Sequence, residues 1–194
     1  MPTVVDSTRQ ALLDAAREFV QTRGYNGFSF RDLAEQVGIT TASIHYHFPT
    51  KAHLGRELVI RYCEAMLQVT RQIEARTDDP IERLSRFCDH LRTASKNGTR
   101  LCMCGMFGAE FATLPEMVQA EVRRLFESSE SWIAGQLVRG RETGQIRFEG
   151  DPARAGAGVF AALQGGMLAA CAFRDPARFD AAAECILANL TSTP

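Results

Sequence analysis

Residues 38–54, Gly-Ile-Thr-Thr-Ala-Ser-Ile-His-Tyr-His-Phe-Pro-Thr-Lys-Ala-His-Leu, carry hydroxyl, imidazole, phenol and ammonium groups and no carboxylate. Glu35 and Glu57 bracket the stretch, and His45, His47, Lys51, His53 and Arg56 lie between them. Donors without a competing anion suit a phosphate-lined groove, since most contacts a protein makes to DNA go to the backbone. A second segment, Leu101-Cys102-Met103-Cys104-Gly105-Met106-Phe107-Gly108-Ala109-Glu110-Phe111, offers different chemistry. Its Met, Cys and Phe side chains are soft and adapt to irregular apolar ligands. A thiol there becomes a nucleophile only in an accessible, electropositive setting. Arg100 adjoins Cys102 in sequence, but adjacent residues of a helix do not face each other. Cys102 and Cys104 are the redox-sensing candidates. They stand roughly 200° apart on a helix, which argues against a bridge between them. Glu110 is a charge among apolar neighbours and needs a partner if buried.

The first segment needs two helices to present it. Ser29 and Asp32 make a capping-box pattern that starts a helix near Phe30. Leu33, Ala34 and Val37 repeat at helical spacing, and Gly38 suits a left-handed stop. Thr40 then caps a very short second helix. Two short helices joined by a Gly-containing turn form a helix-turn-helix, whose second helix enters the major groove. Thr41 and Ser43 are expected at base edges, with Ala42 small enough to approach a thymine methyl. Thr40, His45, His47, Lys51 and Arg31 are assigned to phosphate. Tyr46 is part phosphate contact and part packing, while Ile44 and Phe48 are core. The alternative is a helical hairpin whose exposed residues are merely solvated.

The first 60 or so residues resemble the TetR family of transcriptional regulators. The likeness runs through the helix Arg9–Arg23, the pair Arg23-Gly24 with Tyr25 and Phe28, Phe30-Arg31-Asp32-Leu33-Ala34, Val37-Gly38-Ile39 and Tyr46-His47-Phe48-Pro49-Thr50-Lys51. It implies an all-helical homodimer with an N-terminal DNA-binding domain and a C-terminal domain for dimerisation and effector binding. Such proteins usually repress until an effector releases them. His45 stands where the family usually has Tyr, which alters that phosphate contact. The 101–111 segment is similar to a Gly-Cys-Leu…Ala-Ala-Glu stretch of one branch, with Cys102 on its Cys. Some members of that branch respond to electrophiles, quinones or hypochlorite through this thiol; others bind flavonoids or drugs reversibly.

Composition agrees with a small globular regulator. The chain has 194 residues, 45% hydrophobic and 23% charged, with net charge −1. In the first 60 residues Arg9, Arg17, Arg23, Arg31, Lys51 and Arg56 balance Asp6, Asp14, Glu18, Asp32, Glu35 and Glu57. DNA affinity must therefore come from local placement of charge. No apolar run is expected to approach the roughly 20 residues of a membrane helix. The N-terminus lacks the basic and apolar regions of a signal peptide. A cytoplasmic setting with reduced thiols follows, and the six cysteines show neither Cys-x-x-Cys nor zinc-finger spacing. No metal and no cofactor is expected.

Nearly everything reads as helix, about nine in all, and no run alternates like a strand. A Ser7-x-x-Gln10 pattern opens the first helix, and another starts at Thr50. The pairs Asp79-Pro80, Asp151-Pro152 and Asp175-Pro176 are helix starts. The helix after Pro80 ends near Gly98. Another spans Leu101–Ala112, and one after Leu114-Pro115 stops near Gly144. The fold class is all-α, with a three-helix DNA-binding domain over 1–50 and an effector-binding and dimerisation domain over 51–194. Residues 155–172 are apolar around most of the helix circumference and hold four glycines, each costing roughly 1 kcal/mol in a helix. Close helix approach explains them, and the last two helices of each subunit are expected to form a four-helix dimer interface.

An apolar effector is expected among Phe87, Leu91, Cys102, Met103, Met106, Phe107, Phe111, Phe126, Trp132 and Met167, oriented by Gln164, which could alternatively bond across the dimer. An electrophile acting on Cys102 is the competing effector. His90 reads as a satisfied or solvent-reaching residue. An enzyme is not expected, because no nucleotide loop, Gly-x-Ser-x-Gly or His-Glu-x-x-His occurs. A thiol enzyme pairing Cys102 with His90, or a helical interaction module without DNA affinity, are the readings of another class.

Overall fold

The computed structural model describes residues 4–95 and 100–191. Those residues form nine α-helices and one 3-10 turn, with no strand among them. The helices are α1 Val4–Arg23, α2 Phe30–Val37, α3 Thr41–His47, α4 Lys51–Glu74, α5 Pro80–Ala94, α6 Met103–Ala109, α7 Glu116–Glu142, α8 Pro152–Phe173 and α9 Ala177–Thr191. The 3-10 turn, Phe111–Thr113, follows α6. Two compact units emerge, and they interleave along the chain. The first holds residues 1–63 and 103–125; the second holds 64–102 and 126–194. The division expected at residue 50 assigns α6 and the start of α7 to the second domain, whereas they pack within the first unit.

Side-chain caps start several helices. Asp79 accepts from the Ile81 and Glu82 amides at 2.8 and 3.3 Å, Asp151 from Arg154 at 3.2 Å, and Asp175 from Ala177 at 3.1 Å. Thr50 accepts from the His53 amide at 3.4 Å at the head of α4. Two boundaries differ from expectation. Ser7 lies inside α1 rather than at its cap; the Ser-x-x-Gln spacing fits one helical turn as well as a capping box. The helix expected over 101–112 closes at Ala109, and Thr113 and Leu114 turn back on Glu110 and Phe111 with i to i+3 bonds of 2.9 and 3.2 Å. Pro115 keeps Leu114 extended, at φ −73° and ψ 146°, since the α region is disfavoured for the residue before proline. The expected end near Gly98 lies outside the described residues.

In the first unit, Leu12, Ala16 and Val20 of α1, Leu33 of α2, Ile44 of α3 and Leu54 and Val59 of α4 are inaccessible to solvent. They form the core that holds the short helices α2 and α3 against α1 and α4, each large side chain contributing roughly 1.5–3 kcal/mol. Arg9 and Arg61 both reach Glu57, at 3.1 and 2.9 Å, tying α1 to α4.

In the second unit α8 packs on α7 and α9 through its glycines. A Cβ at Gly156 would stand 2.7 Å from the Glu130 carbonyl oxygen, and one at Gly166 would stand 2.9 Å from Ala182 Cβ. Those two glycines serve contacts inside the chain, while Gly158 and Gly165 face open space. The expectation about membrane-length runs needs correction. Over Pro152–Phe173 the 22-residue helix reaches a mean hydropathy of 1.5, enough by length and composition to cross a membrane, with a third of that window buried. Its apolarity comes from Ala and Gly around a core stripe of Phe160, Leu163, Met167 and Ala170.

Among the described residues of this unit Arg83 is the most deeply placed cation, 5% exposed. Its guanidinium donates to the Thr77 carbonyl at 2.8 Å, the Glu74 carbonyl at 3.3 Å, Asp78 at 3.1 Å and Gln136 Oε1 at 3.3 Å. One planar fork thus joins the end of α4, the α4–α5 loop and α7. Arg83→Ala should destabilise the protein by about 2–4 kcal/mol, read as an earlier thermal melt. Arg83→Lys should recover little, because an ammonium cannot serve the four directions at once. Full recovery by lysine would show that charge alone matters there.

Candidate functional site

The turn between α2 and α3 is built from local hydrogen bonds. Ser29 Oγ accepts from the Asp32 amide at 3.4 Å, and the Ser29 amide donates to Asp32 Oδ2 at 2.7 Å, completing the capping box. The Ser29 hydroxyl and amide beside it hold the Asp32 carboxyl below the usual aspartate range. Gly38 closes α2 at φ 75°, a left-handed conformation that spares glycine the Cβ strain. Its amide and that of Ile39 donate to the Ala34 carbonyl at 2.9 and 3.0 Å. Thr40 caps α3 two residues later, Oγ1 accepting from the Ser43 amide at 3.2 Å.

This geometry leaves α3 anchored by Ile44 and by Phe48 just beyond it, 0% and 2% exposed. Thr40, Thr41, Ala42, Ser43, His45 and Tyr46 all face solvent, as does Arg31 on α2, and His47 is half-buried. Tyr46 is 76% exposed. The hydroxyls of Thr40 and Ser43 lie 3.0 Å apart at the N-terminal end of α3. His45 packs edge-on against Phe30 and places Nδ1 3.1 Å from the Pro49 carbonyl oxygen. A carbonyl only accepts, so Nδ1 carries a proton, and in the neutral ring Nε2 presents a lone pair outward. Only the imidazolium offers a phosphate a second N–H from this residue.

Two cations of the stretch are engaged within the protein. Arg56 pairs with Glu121 at 3.0 Å. Lys51 donates to the Phe28 carbonyl oxygen, and its Nζ lies 4.6 and 4.3 Å from the centres of the Tyr25 and Phe28 rings. Burial lowers the Lys51 pKa, against the opposing pull of Glu110 and Asp32. Burial, then the charge of Glu110, pushes the Tyr25 phenol up to about 12.

Glu110 has the partners its position demands, and they are backbone amides. Its carboxylate accepts from Tyr25 N–H and, at 3.1 Å, from Asn26 N–H, while the Asn26 side chain donates to Thr113 Oγ1 at 2.7 Å. A Cβ at Gly24 would stand 2.8 Å from both Glu110 oxygens, so the backbone must come this close. The α1–α2 turn is therefore held by a carboxylate 84 residues further along the chain.

The eleven residues assigned to an effector fall in both units. Met103, Met106, Phe107 and Phe111 belong to the first, where Phe107 is wholly buried with its ring 5.9 Å from Tyr25. In the second unit Phe87 stacks 5.0 Å from Trp132, whose Nε1 donates to Glu74 at 2.9 Å. Phe126 meets Phe160 edge-on at 5.5 Å, Leu91 and Met167 are buried, and Cys102 Sγ donates to Gln164 Oε1 at 3.3 Å. A half-open cavity of about 230 Å³, absent from the sequence-based assignment, lies among Val69, Gln72, Ile73, Arg76, Arg86, Asp89 and His90. His90, half-buried there, has its pKa lowered by burial. Cys104 is buried. Among the described residues no group of His, Cys, Asp and Glu could hold a metal.

A capped two-helix turn with an exposed, carboxylate-free second helix is a helix-turn-helix DNA-binding unit. Residues 12–58 match the family model for bacterial regulatory proteins of the tetR family, and residues 80–186 match that for the tetracyclin repressor-like C-terminal domain. The chain belongs to the TetR family of transcriptional regulators, which are DNA-binding proteins and not enzymes. It is 25% identical over 162 residues to the HTH-type transcriptional repressor DhaR of Mycobacterium sp. strain GP1, covering 82% of this chain and 80% of that one. A TetR-family regulator from Agrobacterium tumefaciens superposes with a TM-score of 0.93 at 32% identity, over 97% of this chain and 100% of the other. One from Legionella pneumophila gives 0.85 at 26% identity, over 98% of each.

Glu110→Ala should cost about 1–3 kcal/mol, because the Tyr25 and Asn26 amides lose a charged acceptor. Melting should occur earlier, with Glu110→Gln between the variant and the parent. Coincident melting curves for all three would show that the α1–α2 turn holds without this carboxylate.

Proposed function

We propose that the chain is a ligand-responsive repressor that binds a palindromic operator as a homodimer in the cytoplasm and is released by a small, largely apolar effector. The observation that carries this reading is α3. Only Ile44 is buried along the helix, and the hydroxyl, imidazole and phenol groups of its other face stand in solvent with no carboxylate among them. Thr41 and Ser43 at its N-terminal end read base edges, and Ala42 lies against a thymine methyl. Thr40, His45, Tyr46, His47 and Arg31 contact phosphate. Lys51 joins them through the N–H groups not used on Phe28.

A second copy of the chain covers α8. Gly158, Ala161, Ala162, Gly165, Leu168 and Ala172 recur at helical spacing along its exposed side, and Leu168 and Phe173 remain 58% and 63% exposed in the single chain. Exposed apolar surface of this extent marks an interface. Two-fold pairing there would let two recognition helices read half-sites about 34–36 Å apart. The buried Cys102, donating to Gln164, supports a reversible effector over a thiol-based switch, since a reactive thiol requires access.

The experiment is to sequence the DNA that the purified protein selects, with and without candidate effectors, and then to measure affinity for that site against salt. A palindrome bound with steep salt dependence is expected; no selected sequence would refute the repressor reading. Lys51→Met keeps the apolar stem and removes the charge. It should weaken all sequences alike and flatten the log–log salt slope by about 0.9. An unchanged slope would confine Lys51 to its contact with Phe28. Leu168→Glu should give a monomer by light scattering and lose operator binding while keeping helicity. A dimer that survives this change would move the interface off α8.

A further inference from the structure

Between Gly156 and Cys171, Gln164 is the only side chain of α8 bearing an amide, hydroxyl or charge. Its Oε1 accepts from the Cys102 thiol at 3.3 Å. That bond orients the amide, because a thiol donates to a carbonyl oxygen, and leaves Nε2 with two N–H groups to place. Nε2 is fully buried and has no hydrogen-bond partner, the single side-chain nitrogen or oxygen in that condition among the described residues. Elsewhere buried polar groups are satisfied even at some distance in sequence, as Arg83 and Glu110 illustrate. A buried donor without an acceptor is costly, and an apolar residue at position 164 would remove the cost.

The surroundings limit what could satisfy this donor. Phe160 and Met167 stand one turn away on either side of Gln164, both buried, with Leu163 beside them. The Phe126 ring meets Phe160 edge-on, and Cys102 is 1% exposed. A charged ligand group set among these side chains would lack a counter-ion. A neutral carbonyl oxygen would accept from the amide while the rest of the molecule met aromatic, thioether and thiol surfaces, which adapt to irregular apolar shapes.

We propose that Gln164 Nε2 is the donor by which this protein recognises its effector, and that the effector is an uncharged, largely apolar molecule presenting a carbonyl-type acceptor. The inference rests on the ligand-gated reading above and adds the chemistry of the ligand to it. No covalent step is involved; Cys102 acts by fixing the amide.

The test needs no knowledge of the natural effector. In the ligand-free protein Gln164→Leu should raise the melting temperature by roughly 2–4 °C, since it removes an unsatisfied donor. A lowered melting temperature, or a change in oligomeric state, would show the amide to be a structural or intersubunit contact and overturn the proposal. The second arm uses matched probes that differ only in C=O against CH2, benzophenone with diphenylmethane and acetophenone with ethylbenzene. In the parent protein at least one ketone should bind about fivefold or more tightly than its hydrocarbon, and Gln164→Leu should erase the difference. Equal binding within both pairs, no binding at all, or a ketone preference that survives in the variant would overturn it. Operator release is recorded in parallel. A hydrocarbon that releases DNA without any ketone preference removes this inference and leaves ligand gating intact. A ketone held through Gln164 without release supports the donor and counts against gating.

Discussion

A helix of seven residues does not persist in water on its own hydrogen bonds, so the orientation of α3 is borrowed from the core beneath it. Ile44 and Phe48 are the anchors, and with them buried the remaining side chains of α3 are free to be polar, small and exposed. The Gly38 turn and the Thr40 cap follow from the same constraint. A short helix has few internal bonds to satisfy its ends, so its start must be capped and the preceding helix must stop within two residues. The recognition surface is thus specified by what lies behind it as much as by the residues it displays.

Behind that surface sits a compact group of charges and rings. Lys51 lies on Tyr25 and Phe28 and donates to a carbonyl, while Glu110 accepts from the amides of the α1–α2 turn. The charge of Glu110 favours the charged form of Lys51, which offsets part of the cost of removing the ammonium from water. The Tyr25 phenol, pushed to about 12, stays neutral under physiological conditions and behaves as a packing ring. Each desolvated group here has a partner.

Features decided within one helical turn were legible in the sequence. The Ser29–Asp32 box, the Gly38 stop, the Thr40 cap and the three Asp-Pro starts all depend on residues at most three or four apart, and all appear where expected. Ser7 shows the limit of the same logic, because its pattern fits the interior of a helix as well as its start. Glu110 could be recognised as a charge in need of a partner, but the partner amides of Tyr25 and Asn26 carry no side-chain signature and lie more than 80 residues away. Lys51 was legible only in part. Its position at the head of α4 suggested phosphate alone, and only the fold shows the two rings and the carbonyl that compete for its ammonium. The small residues of α8 were legible as a close-contact signal, yet sequence could not separate Gly156 and Gly166, which meet the same chain, from Gly158 and Gly165 on the open side.

The first unit draws on two separated stretches, 1–63 and 103–125, and this bears on how such a reader could be borrowed by evolution or by an engineer. A recombination point placed within α4 just after Arg56 would carry away Tyr25, Asn26 and Arg56 and leave behind Glu110 and Glu121, the groups that satisfy them. The reading head is therefore not a portable cassette. Exchanging its specificity while retaining its support favours changes confined to the exposed side of α3, whereas a chimera that keeps the whole unit must transfer α6 and the first turns of α7 together with the N-terminal helices.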